Sequence, residues 1–146
     1  MSAENRRILI VDDERPILMT LEALLSRHGY QPEMAANASS GLRIVKEKSP
    51  AIVLLDLQLP DADGLQLLEQ IKREHPGIQV IILTAHDSLS NAIESIQLGA
   101  YHFLSNPYAP AECHGLIAKA LGNRPLLRET DELPTQTPQP VRARVT

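Results

Sequence analysis

The chain has a single cysteine, Cys113, and no tryptophan. One cysteine excludes an intramolecular disulfide and most cysteine-based metal sites. Because Cys113 falls inside a helical pattern, it reads as an inert packed thiol. No apolar run approaches the ~18–20 residues needed to span a bilayer. The start, "MSAENRRILI", has no long apolar segment behind its charges, so no signal peptide is expected. These absences make the expected location cytoplasmic, away from any membrane. Positive charge is also scarce: 14 Lys and Arg stand against 18 Asp and Glu, a net charge of -4. Phosphodiester binding requires a basic patch, and Arg142 and Arg144 are too sparse to form one, so direct nucleic-acid binding is not expected. Acids rather than glycines follow the first apolar run, which excludes a dinucleotide-binding turn.

What is present is an alternation. "ILIV" (8–11), "IVLLD" (52–56) and "VIILT" (80–84) are continuous β-branched runs, as in strands covered on both faces. "PEMAA" (32–36) and "YHFL" (101–104) are weaker candidates. Helical spacing fills the intervals. Ile17, Leu21, Leu24 and Leu25 share one face of a first helix that ends before Gly29. Ser39 or Ser40 is expected to cap a second, running to about Lys48. Leu65, Leu68 and Ile71 mark a third, Ile93 and Ile96 a fourth closed by Gly99, and Pro110 opens a fifth stopped by Gly122. Five βα units without a hairpin signal predict a parallel sheet with helices on both faces. A domain is expected over residues 1–122, followed by a polar Pro- and Thr-rich linker or tail over 123–146.

Ligands of such sheets bind beyond the C-terminal ends of the strands. The first strand ends in Asp12, Asp13 and Glu14, the third in Asp56, and the fourth in Thr84 followed by Ala85. Taken singly, Asp12 or Asp13 reads as a helix cap, Asp56 as a turn residue and Thr84 as an ordinary strand end. Taken together, three carboxylates at one end of a sheet repel one another unless a cation lies among them. Hard oxygen donors in this number suit Mg²⁺, which keeps waters and shares a phosphate oxygen. The Thr84 hydroxyl and the Ala85 amide are placed to hold further phosphoryl oxygens.

"ILIVDDE", "IVLLDLQLPDADG", "VIILTA" and "GAYHFL" followed by a proline resemble the receiver domain of two-component response regulators, over residues 7 to about 121. The resemblance implies a flavodoxin-like, doubly wound five-stranded sheet of order 2-1-3-4-5. It also implies that Asp56 accepts a phosphoryl group from a sensor histidine kinase or a histidine phosphotransfer protein, with Mg²⁺ required. Asp13 and Asp56 would ligate the metal, with Asp12 close by and one of the acids acting through water. The backbone carbonyl of Gln58 would complete the protein ligands. Thr84 would bind a phosphoryl oxygen after transfer and, with Phe103, form a switch. That switch would act on the face of the fourth helix, fifth strand and fifth helix, which is also a plausible homodimer face. Phe103 reads equally well as a plain core residue. A receiver takes part in its own phosphoryl transfer and is not expected to turn over an independent substrate. A phosphohydrolase would need an acid where Gln58 stands.

The pattern breaks at one place. The family has a lysine immediately before the proline of the fifth strand, and this chain has Asn106. The resemblance further implies a cis bond between Asn106 and Pro107. An amide cannot neutralise a phosphate, and neither Lys72 in the third helix nor Lys119 in the fifth is placed to compensate. The alternative expectation is therefore a receiver-like interaction module that is not phosphorylated. His86, two residues after Thr84, sits where the family tunes phosphate lifetime, or is simply an exposed polar residue.

Overall fold

A strand that is apolar at every position has no face to give to water, and three such strands must lie side by side under cover on both faces. The computed structural model, which describes residues 5–84 and 89–122, arranges them so. Its elements alternate as β1 (Arg7–Val11), α1 (Arg15–Arg27), β2 (Gln31–Ala35), α2 (Ala38–Lys48), β3 (Ile52–Asp56), α3 (Gly64–Glu74), β4 (Gln79–Thr84), α4 (Leu89–Gln97), β5 (His102–Ser105) and α5 (Pro110–Gly122). The sheet is wholly parallel in the order β2-β1-β3-β4-β5, as expected. The tail (123–146), Ala85 and His86 lie outside the described residues.

Side-chain alternation divides the core in two. Ile8, Ile10, Ile52, Leu54 and Ile81 point to the side covered by Leu21 and Leu25 of α1 and Ile117 of α5. Leu9, Val11, Val53, Leu55 and Ile82 point to the side covered by Val45 of α2 and Leu68 and Ile71 of α3. Cys113 is fully buried on the first side, and burial pushes its thiol up to about 11, in keeping with an inert packing role. Gly29 ends α1 with a φ of 85°, a conformation open to glycine at little cost.

Two local expectations change. The N-cap of α2 is Asn37, not Ser39 or Ser40, and its side chain accepts from the Ser40 amide at 2.8 Å. The fourth helix does not bury its isoleucines: Ile93 and Ile96 are 53% and 40% exposed, whereas Ala92 and Ser95 are fully buried. Small side chains there let α4 lie close to the sheet. The Ser95 hydroxyl is satisfied by donating to the Ala92 carbonyl at 2.6 Å. The Asn106–Pro107 bond is cis, as the resemblance implied.

The loop after β3 closes tightly. The Gly64 amide donates to the Leu57 carbonyl at 3.0 Å, and a Cβ at position 64 would stand 2.4 Å from the Leu57 Cα. That neighbour is backbone and cannot turn aside. Gly64→Ala is therefore expected to destabilise the fold by roughly 3 kcal/mol through overpacking. Gly115→Ala, on the open face of α5 with no atom within 4 Å, is expected to stabilise it by about 0.5–1 kcal/mol. Denaturant unfolding of the two variants checks the opposite signs.

Candidate functional site

Pairing in register sets the site. Val11 lies opposite Leu55, so the residues that follow them, Asp12 and Asp56, leave the sheet side by side. Asp56 in turn pairs with Leu83, which brings the end of β4 and Thr84 alongside. Asp12, Asp13 and Asp56 each offer one carboxylate oxygen, and these oxygens lie within 4.8 Å of one another. Asp12 is buried, Asp56 half-buried and Asp13 exposed. Neither Asp12 nor Asp13 caps α1; that position is Glu14, whose side chain makes no capping bond.

Two short turns aim the carboxylates. Asp12 Oδ1 accepts from the Glu14 amide at 2.8 Å, and Asp56 Oδ1 accepts from the Gln58 amide at 3.1 Å. These bonds favour the ionised forms, but burial outweighs them. Burial, reinforced by the neighbouring Asp56, Glu14 and Asp13 charges, pushes Asp12 up to about 6. Asp56 is raised by burial first, and then by Asp13 and Glu14. The donor set is all oxygen and anionic, the chemistry a hard divalent ion prefers. The three residues fit a hard divalent cation.

The cavity above them has a volume of about 90 Å³ and brings Asp12, Asp56, Gln58, Thr84 and Asn106 to one place. The Asn106 amide also donates to the Thr84 carbonyl at 2.9 Å, tying the ends of β4 and β5 together. No lysine or arginine is among the described residues lining it. The Lys72 ammonium is engaged elsewhere, donating to the carbonyls of Pro76 at 3.0 Å and Ile78 at 2.7 Å. Lys119 borders a separate groove beside His102 on the outer face of α5. Phe103 packs half-buried in the second core cluster and does not line the cavity. Ala85 falls outside the described residues. Five lining residues carried no expected site role: Glu14, Ile17, Leu57, Leu83 and Asn91 of α4. Glu14 already stood behind the acid pair at the end of the first strand. Nothing local marks Asn91, which reaches the cavity only through tertiary packing.

Comparison with known proteins agrees with this geometry. The family model described as "Response regulator receiver domain" matches residues 8–118. The photosynthetic apparatus regulatory protein RegA of Rhodovulum sulfidophilum is 32% identical over 131 residues, which cover 90% of this chain and 70% of RegA. A putative NtrX-like response regulator of Rickettsia bellii is 37% identical over 128 residues, but this chain spans only 27% of its length. Among solved structures, a CheY-like receiver domain protein from Methanospirillum hungatei JF-1 superposes with a TM-score of 0.76 at 35% identity, covering 80% of this chain and 94% of that one. The receiver domain of NtrX from Brucella abortus gives 0.77 at 33% identity, covering 80% and 98%. Matched by the family model over most of its length and sharing the fold of these solved structures, the chain belongs to the response regulator receiver domain family.

Proposed function

We propose that Asp56 accepts a phosphoryl group from a histidine kinase or histidine phosphotransfer protein, and that the loaded pocket alters a protein-interaction face. The observation that carries this reading is the convergence of three carboxylate oxygens within 4.8 Å, two of them from Asp12 and Asp56, which line a cavity together with Thr84. An ionised Asp56 oxygen attacks phosphorus. The bond from phosphorus to the donor imidazole nitrogen breaks, and that nitrogen keeps the electron pair. Asp12, Asp13, Asp56 and the Gln58 carbonyl would hold Mg²⁺. Bound there, the ion supplies charge neutralisation for the phosphoryl oxygens and favours ionised Asp56. The Thr84 hydroxyl and Ala85 amide donate to those oxygens, and Thr84 with Phe103 relays the change outward.

Two surfaces support the partner assignments. A groove of about 340 Å³ between α1 and the segment before α5, lined by Ile17, Leu21, Leu24, Pro107 and Tyr108, shares Ile17 and Asn106 with the acidic cavity. A donor seated in it brings its phosphohistidine to Asp56. The exposed Ile93 and Ile96 of α4 offer an apolar face for an output partner or a second copy. The receiver unit on this reading is residues 1–122. It acts in the cytoplasm, binds no nucleic acid directly and turns over no independent substrate. No described helix is long and apolar enough to cross a membrane. The intact acids and Thr84 support phosphorylation over a module that signals without it.

Incubation with a small phosphodonor and Mg²⁺ is expected to add one phosphoryl group by intact mass. Asp56→Asn is expected to add none. An unlabelled wild type beside a labelled control receiver would defeat the reading.

Asn106→Lys places an ammonium over the metal site. It is expected to raise the Mg²⁺ concentration for half-saturation roughly tenfold in the unphosphorylated protein, by like-charge repulsion. Titration followed by NMR measures the shift.

The raised carboxyls also give a pH signature. Folding favours the protonated form of Asp12, so its contribution to stability is full below its ordinary value of 3.8 and is lost as pH rises through about 6. In chelator, the melting temperature of the wild type relative to Asp12→Asn is expected to fall across that window. Saturating Mg²⁺ is expected to reverse the fall above it. A difference flat with pH would assign the effect to other groups.

A further inference from the structure

Between Asp56 and α3 the chain carries a carboxylate that lies outside the acidic cluster. Asp61 Oδ1 accepts from the Ala38 amide at 2.8 Å, and its Oδ2 accepts from the Ser39 amide at 3.1 Å. Both donors belong to the first turn of α2. With Asn37 receiving the Ser40 amide, the first three N–H groups of that helix are satisfied, two of them by a side chain from a different loop. An anion is favoured at a helix N-terminus, and the two bonds hold the Asp61 carboxyl below the usual carboxylate range.

The same stretch of chain is fastened to the other acid-bearing loop. The Asp12 amide donates to the Ala35 carbonyl at 3.0 Å, at the end of β2 and three residues before Ala38. The segment from Ala35 to Ser39 therefore touches both loops that supply carboxylates: the loop after β1 through Asp12, and the loop after β3 through Asp61. The loop after β3 is closed at its neck by the Gln58–Asp63 bridge and the Gly64–Leu57 bond. Its neck is thus closed, and its tip is held to the start of α2 through Asp61.

We propose that Asp61 is a positioning residue: by tying the tip of the acceptor loop to the start of α2, it fixes Asp56 and the Gln58 carbonyl relative to Asp12 and Asp13. This rests on the reading of those acids as a divalent-cation site. Without the tie, ion binding must itself order the loop, and affinity falls accordingly. Asp61 needs no contact with the ion or the phosphoryl group for this.

The test uses the full chain and Mg²⁺ alone, followed by backbone amide NMR. Asp61→Ala is expected to weaken Mg²⁺ binding about tenfold, as loss of an outer support does. Asp61→Asn keeps the shape and one acceptor oxygen but turns an amino group toward the second amide, and is expected to weaken binding only about threefold. Equal loss in both variants would overturn the proposal, as would unchanged binding in Asp61→Ala. Metal-free spectra provide an arm independent of affinity: the Gln58 and Asp12 amide resonances are expected to shift or broaden in Asp61→Ala and to be restored in part in Asp61→Asn. Unmoved resonances would overturn the proposal in a properly folded variant, and thermal unfolding establishes the folding. A wild type that binds no Mg²⁺ would instead overturn the reading of the acids, leaving the metal-free arm to decide the role of Asp61.

Discussion

Three carboxylates held within reach of one another are the constraint around which this molecule is built. Left to itself, such a cluster pushes its loops apart. It is retained because β1 and β3 pair in register inside a core buried on both faces, so that separating Asp12 from Asp56 would require unzipping the centre of the sheet. The energy that holds the acids together is thus hydrophobic and backbone in origin. The local bonds to the Glu14 and Gln58 amides aim the carboxylates without neutralising them. What remains is an electrostatic debt expressed as raised carboxyl pKa values, which a divalent cation would cancel.

Asn106 bears on how that charge is balanced, because no described residue lining the cavity is basic. Here the fifth strand contributes a neutral amide to the cavity, and its backbone N–H holds the Thr84 carbonyl. The strand end is therefore kept in place without its charge. On the proposed reading, a phosphoryl group would add negative charge to a cavity in which no described lining residue is basic. The burden would pass to a bound metal and to hydrogen-bond donors such as Thr84.

The sheet was legible because its signal is strong. Continuous apolar runs at 8–11, 52–56 and 80–84 have no other stable environment, and the acids directly behind them mark the functional end. The site residues that pairing alone brings together could be read from order and polarity. What could not be read depends on distances across the fold. Ile93 and Ile96 looked like a buried stripe because spacing alone does not say which face of a helix meets the core. The buried face is the one with Ala92 and Ser95, chosen by close approach rather than by hydrophobicity. Asn37 was passed over as a cap because two serines follow it. Asn91 and Asp61 act on residues far away in sequence, and no local pattern encodes such a meeting.

The make-up of α4 bears on how the pocket reaches the surface. Its Asn91 lines the acidic cavity, while Ile93 and Ile96 of the same helix face solvent. Among the described side chains of α4, the buried ones are Ala92 and Ser95, which bury little apolar area compared with the leucines of α1 or α3. Burial contributes about 25 cal/mol for each Å² of apolar surface, so a helix seated on small side chains is held less strongly than its neighbours. Elements at the low-stability end of a structure are the ones that move in switching. On the proposed reading, a change of charge in the cavity would act on one end of this helix and carry the exposed isoleucines with it.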